Sequence, residues 1–271
     1  LRAAVNPTED MPDAGDYSLA AQIRRWGVTH LQCTPSMARI LVSDPQVAGA
    51  MAGLKCVMLG GEAMPPSLLA DIKGATRARV LNMYGPTETT IWSTVADLSD
   101  AAEVTLGRPI ANTQLYVLDG DGVPVPPGAQ GELWIGGHGV TRGYWQREDL
   151  TSAAFRPDPF VPADRAAPWG ARIYRTGDLV RWREDGSLDY IGRADHQIKL
   201  RGFRIELGEI EAQLAAQPGV REAVALVRED TPGDKRLVAY VTGDSSLSEK
   251  ALREALLAHL PGHMVPGRIL R

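Results

Sequence analysis

Residues 56–88, CVMLGGEAMPPSLLADIKGATRARVLNMYGPTE, contain two short apolar runs that each lead directly into a glycine-containing loop. The first run is Cys56–Leu59, and two glycines and Glu62 follow it. The second run is Val80–Met83, and the loop YGPTE at Tyr84–Glu88 follows it. Short apolar runs bounded by glycine and proline are typical of buried β-strands. Both loops are therefore predicted to begin where a strand ends.

The residues before this stretch alternate between predicted helix and predicted strand. An amphipathic pattern at Leu19–Trp26 indicates a helix, Val28–Cys33 a buried strand and Ser36–Val42 a second helix. Strands and helices that alternate in this way are the signature of a parallel sheet, in which ligands bind beside the carboxyl ends of the strands. We therefore predict an α/β fold with parallel βα units over residues 1–110, and we expect Glu62 and the YGPTE loop to face one crevice.

Beyond the βα units the pattern changes to β-hairpins. Between residues 114 and 137 two apolar strands flank Asp-Gly turns and a Pro-Pro-Gly corner, and a second hairpin turns at Glu184–Gly186. The proline-rich stretch Pro157–Pro168 is expected to be an exposed loop. Residues 111–194 are therefore predicted to form a β-rich subdomain that completes a large domain of residues 1–194.

The last part of the chain has the pattern of a small α+β domain. We place it at residues 195–271 and expect a tight hinge at Asp195, because no polar linker separates it from the large domain. In its final helix, residues recur at the i, i+3, i+4, i+7 and i+8 spacing of one helix face. They are Leu252, Ala255, Leu256, His259 and Leu260. The earlier predicted elements are a short strand within His196–Glu206, a helix at Leu207–Ala216, and strands at Val220–Val227 and Arg236–Val241 around a turn at Pro232–Asp234.

Composition and charge argue against several classes of protein. The chain of 271 residues is 44% hydrophobic and has a formal net charge of -4, whereas nucleic-acid binders need a surplus of lysine and arginine to neutralise phosphates. No apolar run approaches the ~20 residues of a membrane-spanning helix. Cys33 and Cys56 lie in apolar runs and are expected to be buried thiols rather than disulfide or metal ligands. We therefore expect a cytoplasmic protein that binds neither nucleic acid nor membrane.

Six motifs follow one another along the chain. They are LGGEAMP (Leu59–Pro65), NMYGPTETT (Asn82–Thr90), GELWIGGHGVTRGYW (Gly131–Trp145), YRTGDLV (Tyr174–Val180), GRADHQIKLRGFRIELGEIE (Gly192–Glu211) and LPGHMVP (Leu260–Pro266). In order and spacing they resemble the later core motifs of adenylation domains of nonribosomal peptide synthetases, in the adenylate-forming superfamily. The resemblance covers nearly the whole chain. It implies that an amino acid is activated with ATP and Mg²⁺ and then passed to the phosphopantetheine of a peptidyl carrier protein, with neighbouring synthetase domains as partners and an MbtH-like protein as a further candidate.

The YGPTE loop carries groups that ATP requires. Tyr84 beside Gly85 can stack on a purine, and Asn82 offers an amide donor and acceptor to the edge of adenine. Thr87 can hydrogen-bond a phosphate oxygen, and the carboxylate of Glu88 is a hard oxygen ligand suited to Mg²⁺. Thr87 and Glu88 are thus the candidate catalytic residues, with Glu88 as the metal ligand. The alternative is a helix N-terminus capped by Thr87, which would itself attract anions.

The resemblance assigns nucleotide contacts outside this loop as well. Asp178 would accept both ribose hydroxyls, and its alternative role is to form a turn beside Gly177. Arg193 would reach the ribose or the α-phosphate, and its alternative is a solvated charge on a strand. The implied nucleotide-binding set is Gly61, Glu62, Asn82, Tyr84, Gly85, Asp178 and Arg193.

The side chain of the substrate is implied to meet six residues at strand ends and beside the YGPTE loop. Two methionines, an isoleucine and a tryptophan among them would fill the space of a side chain, and overpacking costs ~1–3 kcal/mol. The set resembles the pocket lining of glycine-activating domains, so we expect glycine, alanine or another small residue. The alternative is that these residues are ordinary core. They are Gln32, Met58, Gly60, Met83, Ile91 and Trp92.

The small domain carries residues expected on the side of thioester transfer. Lys199, Arg201 and Arg204 form a basic strand that could meet phosphate or pantetheine, and the alternative is an ordinary exposed strand. The set placed on the thiolation side is Lys199, Gly202 and Arg204. Two half-reactions must present different faces to one adenylate, so the domain is expected to pivot about Asp195. The histidines inside motifs, of which His138 is one and His196 another, match no catalytic position and are expected at the surface.

The resemblance also implies elements that residues 1–271 do not contain. The phosphate loop and the aspartate that grips the α-ammonium of the substrate are expected before residue 1, and the lysine that stabilises the transition state after Arg271. The chain alone is therefore expected to be inert. Two alternatives stay open, an acyl- or aryl-CoA ligase fragment of the same superfamily and a non-catalytic interaction fragment.

Overall fold

The computed structural model describes residues 15–162, 171–195, 197–231, 234–245 and 247–271. They belong to two units, Leu1–Ala194 and Asp195–Arg271, each with its own hydrophobic core. The second half of the predicted Pro157–Pro168 loop, His196 and the centre of the turn predicted at Pro232–Asp234 lie outside the described residues. No helix within the described ranges is long and apolar enough to cross a membrane.

A five-stranded mixed sheet begins the first unit. Its strands, in spatial order, are β1 (His30–Cys33), β2 (Cys56–Gly60), β3 (Arg79–Tyr84), β4 (Thr94–Asp97) and β5 (Arg108–Pro109). The first three strands are parallel, which confirms the predicted βα units. β4 runs antiparallel to β3, and β5 antiparallel to β4, so two antiparallel strands that were not predicted extend the parallel part of the sheet. The chain after β3 turns straight back instead of crossing over through a helix.

Four helices pack with one face of this sheet. They are α1 (Leu19–Arg25), α2 (Pro35–Ser43), α3 (Pro45–Met51) and α4 (Pro66–Ala75). Three of them begin at a proline, whose missing N–H would be unpaired there in any case. Leu41 of α2 and Ile72 of α4 join Leu59 and Val80 of the strands in one buried cluster. This core leaves the carboxyl ends of β1, β2 and β3 at one edge.

A second, antiparallel sheet follows in the same unit. Its strands are β6 (Thr113–Leu118), β7 (Gln130–Gly137), β8 (Phe155–Pro157), β9 (Arg172–Trp182) and β10 (Leu188–Arg193), and α5 (Glu148–Ala154) precedes β8. The order is β10-β9-β7-β6, with β8 paired to β9. Both predicted hairpins are present, because β6 pairs with β7 and β9 with β10.

The two sheets meet where Gly107 pairs with Leu188. The Leu188 N–H donates to the Gly107 carbonyl at 3.0 Å, and the Leu106 N–H donates to the Leu188 carbonyl at 2.8 Å. Gly107 has a φ of +77°, and a Cβ at this position would overlap the Val95 carbonyl group. Only glycine therefore fits at the junction of the sheets.

The second unit is the predicted small α+β fold. It contains β11 (Gln197–Leu200), β12 (Phe203–Glu206), α6 (Leu207–Ala215), β13 (Val220–Thr231), β14 (Asp234–Gly243), α7 (Glu249–His259) and β15 (Arg268–Leu270). β13, β14 and β15 form one sheet in that order, and β15 is parallel to β14. Its core includes Ile205, Leu214 and Leu256, which are fully buried.

Two predictions for this unit are wrong in detail. The stretch predicted as one strand within His196–Glu206 is a hairpin, because Arg201 and Gly202 have φ values of +52° and +81° and reverse the chain. His259, predicted on the buried face of α7, is exposed at the last residue of the helix, whereas Leu252 on the same face is buried. β15 was not predicted.

We expect Gly107→Ala to lower the free energy of unfolding by about 3 kcal/mol. The left-handed backbone costs an alanine ~1–2 kcal/mol, and the overlap with the Val95 carbonyl adds ~1–3 kcal/mol. Gly122→Ala is the matched control, because Gly122 has a φ of +81° and nothing lies within 4 Å of a Cβ there. Gly122→Ala should lower the free energy of unfolding only by the cost of the left-handed backbone. Urea unfolding measures both, and equal losses would contradict the close approach at Gly107.

Candidate active site

A bulge in β9 positions Asp178. Between Arg175 and Leu179, β9 carries two more residues than the facing part of β7. Gly177, with a φ of +74°, lies within this stretch and permits the left-handed backbone. The Thr176 hydroxyl fixes the bulge, because it donates to a β7 carbonyl at 2.7 Å and accepts from the Asp178 N–H at 3.0 Å. Bulges redirect side chains and are frequent beside active sites.

The Asp178 carboxylate is buried and accepts two hydrogen bonds from side chains. The Tyr84 hydroxyl, at the end of β3, donates to Oδ2, and Arg193 Nη1, at the end of β10, donates to Oδ1 at 2.9 Å. Asp178 is 2% exposed. Burial, and then the neighbouring carboxylate, raise the pKa of Tyr84 well above its usual value, so the phenol remains a donor. The structure thus brings together three residues of the predicted nucleotide-binding set.

The loop after β3 is strained. Thr87–Thr89 form a 3-10 turn, and Thr90 and Ile91 then have φ values of +62° and +72°. Such a left-handed backbone is an outlier for β-branched residues and costs ~1–3 kcal/mol for each. Gly85 is required here, because a Cβ on it would lie 2.5 Å from the Ile91 carbonyl oxygen. The strain is local to the predicted catalytic loop.

The segment Gly139–Tyr144, here called the clamp segment, holds this loop. The Thr90 hydroxyl donates to the first carbonyl of the segment at 2.7 Å. The backbone carbonyl of Glu88 accepts from the Thr141 N–H at 2.9 Å, and Glu88 Oε1 accepts from the Tyr144 hydroxyl at 2.6 Å. Strained backbone persists only where the surrounding structure holds it in place, and these three hydrogen bonds hold the loop.

Glu88 is the one acidic residue of the loop and is 8% exposed. Burial, and then the hydrogen bond to Glu88, raise the pKa of Tyr144, so this phenol also remains a donor. Within the described ranges no group of three or more His, Cys, Asp or Glu residues could hold a metal ion. A single carboxylate still fits Mg²⁺ that arrives with ATP, because this ion usually takes one or two protein carboxylates together with phosphate oxygens and water.

Thr87 is exposed at the start of the same turn. It is the first residue of the turn, and Pro86 occupies the cap position, so the alternative interpretation of Thr87 as a helix cap is wrong. Its hydroxyl is accessible to a ligand.

Two other predicted nucleotide contacts make hydrogen bonds within the protein. Asn82 is 5% exposed, and its amide donates to the Thr105 carbonyl at 2.7 Å. Glu62 Oε2 accepts from the Ser36 N–H at 2.9 Å and from the Ser36 hydroxyl at 2.6 Å, whereas Oε1 is buried without a hydrogen-bond partner among the described residues. Gly61, with a φ of +86°, forms the turn before Glu62. Glu62 therefore ties the loop after β2 to the start of α2.

Four of the six predicted pocket residues share one face of the first sheet. Gln32 pairs with Met58 across β1 and β2, and Gly60 pairs with Met83 across β2 and β3. Residues two apart on a strand point to the same face, so these four lie opposite the face that the helices cover. The structure therefore places them next to one another at the carboxyl edge.

Trp92 lies directly on Gly60. A Cβ at Gly60 would overlap the Trp92 ring and lie 2.5 Å from the Met83 carbonyl oxygen. Ile91, the sixth residue of the set, is 57% exposed on the same loop. The indole thus occupies the space above the sheet where a side chain at residue 60 would otherwise extend.

The predicted residues of the second unit lie at its beginning and on its hairpin. Asp195 Oδ1 accepts from the Gln197 N–H at 3.1 Å. Lys199 lies opposite Arg204 across β11 and β12, and Gly202 is in the turn between them. These three residues therefore lie close together on the hairpin, which the prediction of a single strand did not anticipate.

Sequence reasoning did not assign Tyr144 or Thr176 to the site. Both lie inside the six motifs. Tyr144 bonds Glu88, 56 positions away in sequence, and Thr176 bonds backbone groups of a bulge, so no local sequence pattern predicted either contact. Outside the site, His138 is exposed, and both cysteines are free. Burial raises the pKa of Cys33 to about 11, which makes it an unreactive thiol.

Comparisons with known proteins agree with this geometry. Residues 3–145 match the family of AMP-binding enzymes. The chain is 51% identical over 252 residues to a dimodular nonribosomal peptide synthase of Bacillus subtilis (strain 168), and the match covers 92% of this chain and 10% of that protein.

Two solved structures are also similar. An artificially fused adenylation-PCP di-domain from Klebsiella oxytoca is 29% identical with a TM-score of 0.79, over 96% of this chain and 47% of that one. A four-domain nonribosomal peptide synthetase bound to AMP and glycine is 45% identical with a TM-score of 0.59, over 93% of this chain and 18% of that one. The chain spans about half, or far less, of the length of these relatives. It belongs to the AMP-binding enzyme family and, within that family, to the adenylation domains of nonribosomal peptide synthetases.

Proposed function

We propose that the chain is part of a complete adenylation domain that activates an amino acid with ATP and transfers it to a carrier-protein thiol. In the first half-reaction the carboxylate of the amino acid attacks the α-phosphorus of ATP and pyrophosphate leaves. In the second, the phosphopantetheine thiol attacks the aminoacyl adenylate and AMP leaves. The observation that carries the proposal is the buried carboxylate of Asp178 held between Tyr84 and Arg193 in a member of this family.

Asp178 is proposed to hold the ribose. An ionised carboxylate offers about four acceptor sites, and Tyr84 and Arg193 use two of them. The remaining sites suit two ribose hydroxyls. Arg193 would stabilise the charge of the adjacent α-phosphate, while Asn82 and Gly85 would border adenine. The bulge in β9 prepares this geometry before the nucleotide binds.

Glu88 and Thr87 are proposed to act on the phosphates. Mg²⁺, when bound, neutralises negative charge on phosphate oxygens. Glu88 would hold this ion through its carboxylate, which the clamp segment already fixes. The exposed hydroxyl of Thr87 would donate to a phosphate oxygen. Gly61 and Glu62 would shape the neighbouring edge through the turn after β2.

Glycine, or another small amino acid, is the proposed substrate. The Trp92 ring on Gly60 and the adjacent Met58 and Met83 leave little room above the sheet. None of the six pocket residues carries a charge that could pair with an acidic or basic side chain. The solved synthetase that is bound to AMP and glycine is 45% identical to this chain, which supports the assignment.

The second half-reaction would use the unit Asp195–Arg271 and a carrier protein. The adenylation-PCP di-domain among the similar structures supports a peptidyl carrier protein and neighbouring synthetase domains as partners. Lys199, Gly202 and Arg204 would meet pantetheine, and Asp195 would be the hinge between the two half-reactions. An MbtH-like protein is a further candidate partner. The free cysteines are compatible with the reducing cytoplasm.

ATP–pyrophosphate exchange by the complete domain, measured across the amino acids, tests this function. Exchange with glycine or a small amino acid supports it. Thioester formation on a carrier protein rather than on free CoA then distinguishes it from an acyl- or aryl-CoA ligase. Absence of exchange with every amino acid would favour the non-catalytic alternative.

For the metal ligand, we expect Glu88→Gln to lower exchange at least tenfold at limiting Mg²⁺, because a neutral amide is a poorer ligand than a carboxylate. Glu184→Gln, at an exposed residue of the β9–β10 turn, is the control and should leave exchange unchanged. Unchanged exchange in Glu88→Gln would remove this residue from the site.

For the hinge, we expect Asp195→Pro to impair thioester formation more than adenylation, because proline fixes φ where a dihedral change is required. Asp195→Ala removes the carboxylate that accepts from Gln197 but keeps φ free, so it separates the two effects. Both half-reactions are measured for each variant. An equal loss of both half-reactions in Asp195→Pro would contradict a hinge there.

For specificity, we expect Trp92→Ala to gain exchange with larger amino acids such as Leu or Phe, because it empties the space above Gly60. Discrimination of the unchanged domain against alanine should be on the order of 10–200-fold, the range for one methylene-sized difference. Trp26→Ala, at a tryptophan that is 72% exposed, is the matched control. A preference of the unchanged domain for Leu or Phe would show that the pocket is misassigned.

A further inference from the structure

Tyr144 has no role in the function proposed above, yet it contacts one of its central residues. Its hydroxyl donates to Glu88 Oε1 at 2.6 Å, a distance typical of a hydroxyl that donates to a charged acceptor. Glu88 is 8% exposed, so this bond is largely shielded from water. The contact joins residues that are 56 positions apart in sequence.

The clamp segment fixes Glu88 at both ends. The Thr141 N–H holds its backbone carbonyl, and three residues later the Tyr144 hydroxyl holds its carboxylate. A free glutamate has three side-chain torsions and must lose that freedom when it binds a cation. Here the hydrogen bond from Tyr144 already restricts that freedom. Hydrogen-bond partners of metal-binding carboxylates typically change metal affinity 10–100-fold when they are removed.

We propose that Tyr144 is a positioning residue, whose hydroxyl holds the Glu88 carboxylate in the orientation that receives the magnesium ion of ATP. This inference rests on the proposed function of Glu88. Tyr144 itself would not touch the ion or the nucleotide. The Tyr144 hydroxyl fixes Glu88 Oε1, and this fixes the direction in which the other carboxylate oxygen, Oε2, points.

The rest of the tyrosine serves packing that a phenylalanine can supply. Its ring meets Phe155 edge-on with 5.5 Å between the ring centroids. Its backbone N–H donates to the Thr151 hydroxyl at 2.9 Å, which no side-chain change removes. Tyr144→Phe therefore deletes the hydroxyl, with its hydrogen bonds to Glu88 and Tyr174, and retains the ring and backbone contacts.

The first unit also contains a matched control. The Tyr116 hydroxyl donates to Asp158 Oδ2 at 3.0 Å, and Asp158 is 7% exposed, close to the value for Glu88. The Tyr116 ring lies on Phe160, with 4.5 Å between the centroids. Each tyrosine thus donates to a buried carboxylate and packs on a phenylalanine, but Tyr116 belongs to no predicted site. Tyr116→Phe therefore measures how the loss of a tyrosine–carboxylate hydrogen bond outside the proposed site affects Mn²⁺ binding.

The experiment uses the complete domain and measures binding rather than turnover. Mn²⁺ serves as the probe in the presence of α,β-methylene ATP, and electron paramagnetic resonance reports the free ion. We expect Tyr144→Phe to weaken Mn²⁺ binding about tenfold. Tyr116→Phe should change it less than twofold, and Glu88→Gln should weaken it at least as much as Tyr144→Phe. Exchange by Tyr144→Phe should largely recover at saturating Mg²⁺, because the ligand itself remains.

The outcomes separate this inference from the proposed function. If Glu88→Gln weakens Mn²⁺ binding and Tyr144→Phe does not, the positioning role is overturned while the proposed function stands. Equal weakening in Tyr144→Phe and Tyr116→Phe would mean a general loss of packing and would also overturn it. If Glu88→Gln leaves binding unchanged, the metal role of Glu88 fails, and the role of Tyr144 fails with it.

Discussion

The rest of the first unit depends on the burial of one charge, the carboxylate of Asp178. A carboxylate at 2% exposure is stable only when it is paired, and removing one partner of such a pair costs ~3–5 kcal/mol. Its partners come from different sheets, because Tyr84 ends β3 and Arg193 ends β10. Tyr84 also belongs to the buried cluster that contains Leu106 and Leu188, at which the sheets join. The junction of the sheets and the proposed nucleotide site are therefore stabilised by the same contacts.

The reversal of the chain after β3 is the second constraint. A parallel continuation would have carried the chain away from the edge, whereas the left-handed backbone at Thr90 and Ile91 returns it at once as β4. That return puts Trp92 over Gly60 and leaves Glu88 within reach of the clamp segment. The strained turn thus brings the Glu88 carboxylate and the Trp92 ring to this edge of the sheet within five residues.

Local patterns predicted the parts of the fold that local physics decides. The apolar runs of β1, β2 and β3 and the Asp-Gly turns of the second sheet were predicted because strand periodicity and turn geometry need only neighbouring residues. The antiparallel β4 and the parallel β15 were missed, because their direction depends on pairing with distant strands. In the site, motifs indicated Asp178, but its bond to Tyr84 spans 94 positions, and no pattern could reveal it. For the same reason no pattern predicted the hydrogen bonds that Ser36 donates to Glu62, 26 positions away.

The contact between Trp92 and Gly60 restricts how the proposed substrate pocket could change in evolution. A side chain at residue 60 meets both the indole and the backbone carbonyl of Met83, so enlarging it is excluded while either remains in place. A smaller side chain can replace the indole without moving any backbone. The Met83 carbonyl belongs to the backbone, so no substitution removes it. Of these two residues, only Trp92 can therefore change the volume of the proposed pocket, because the Met83 carbonyl keeps residue 60 a glycine whatever side chain stands at residue 92.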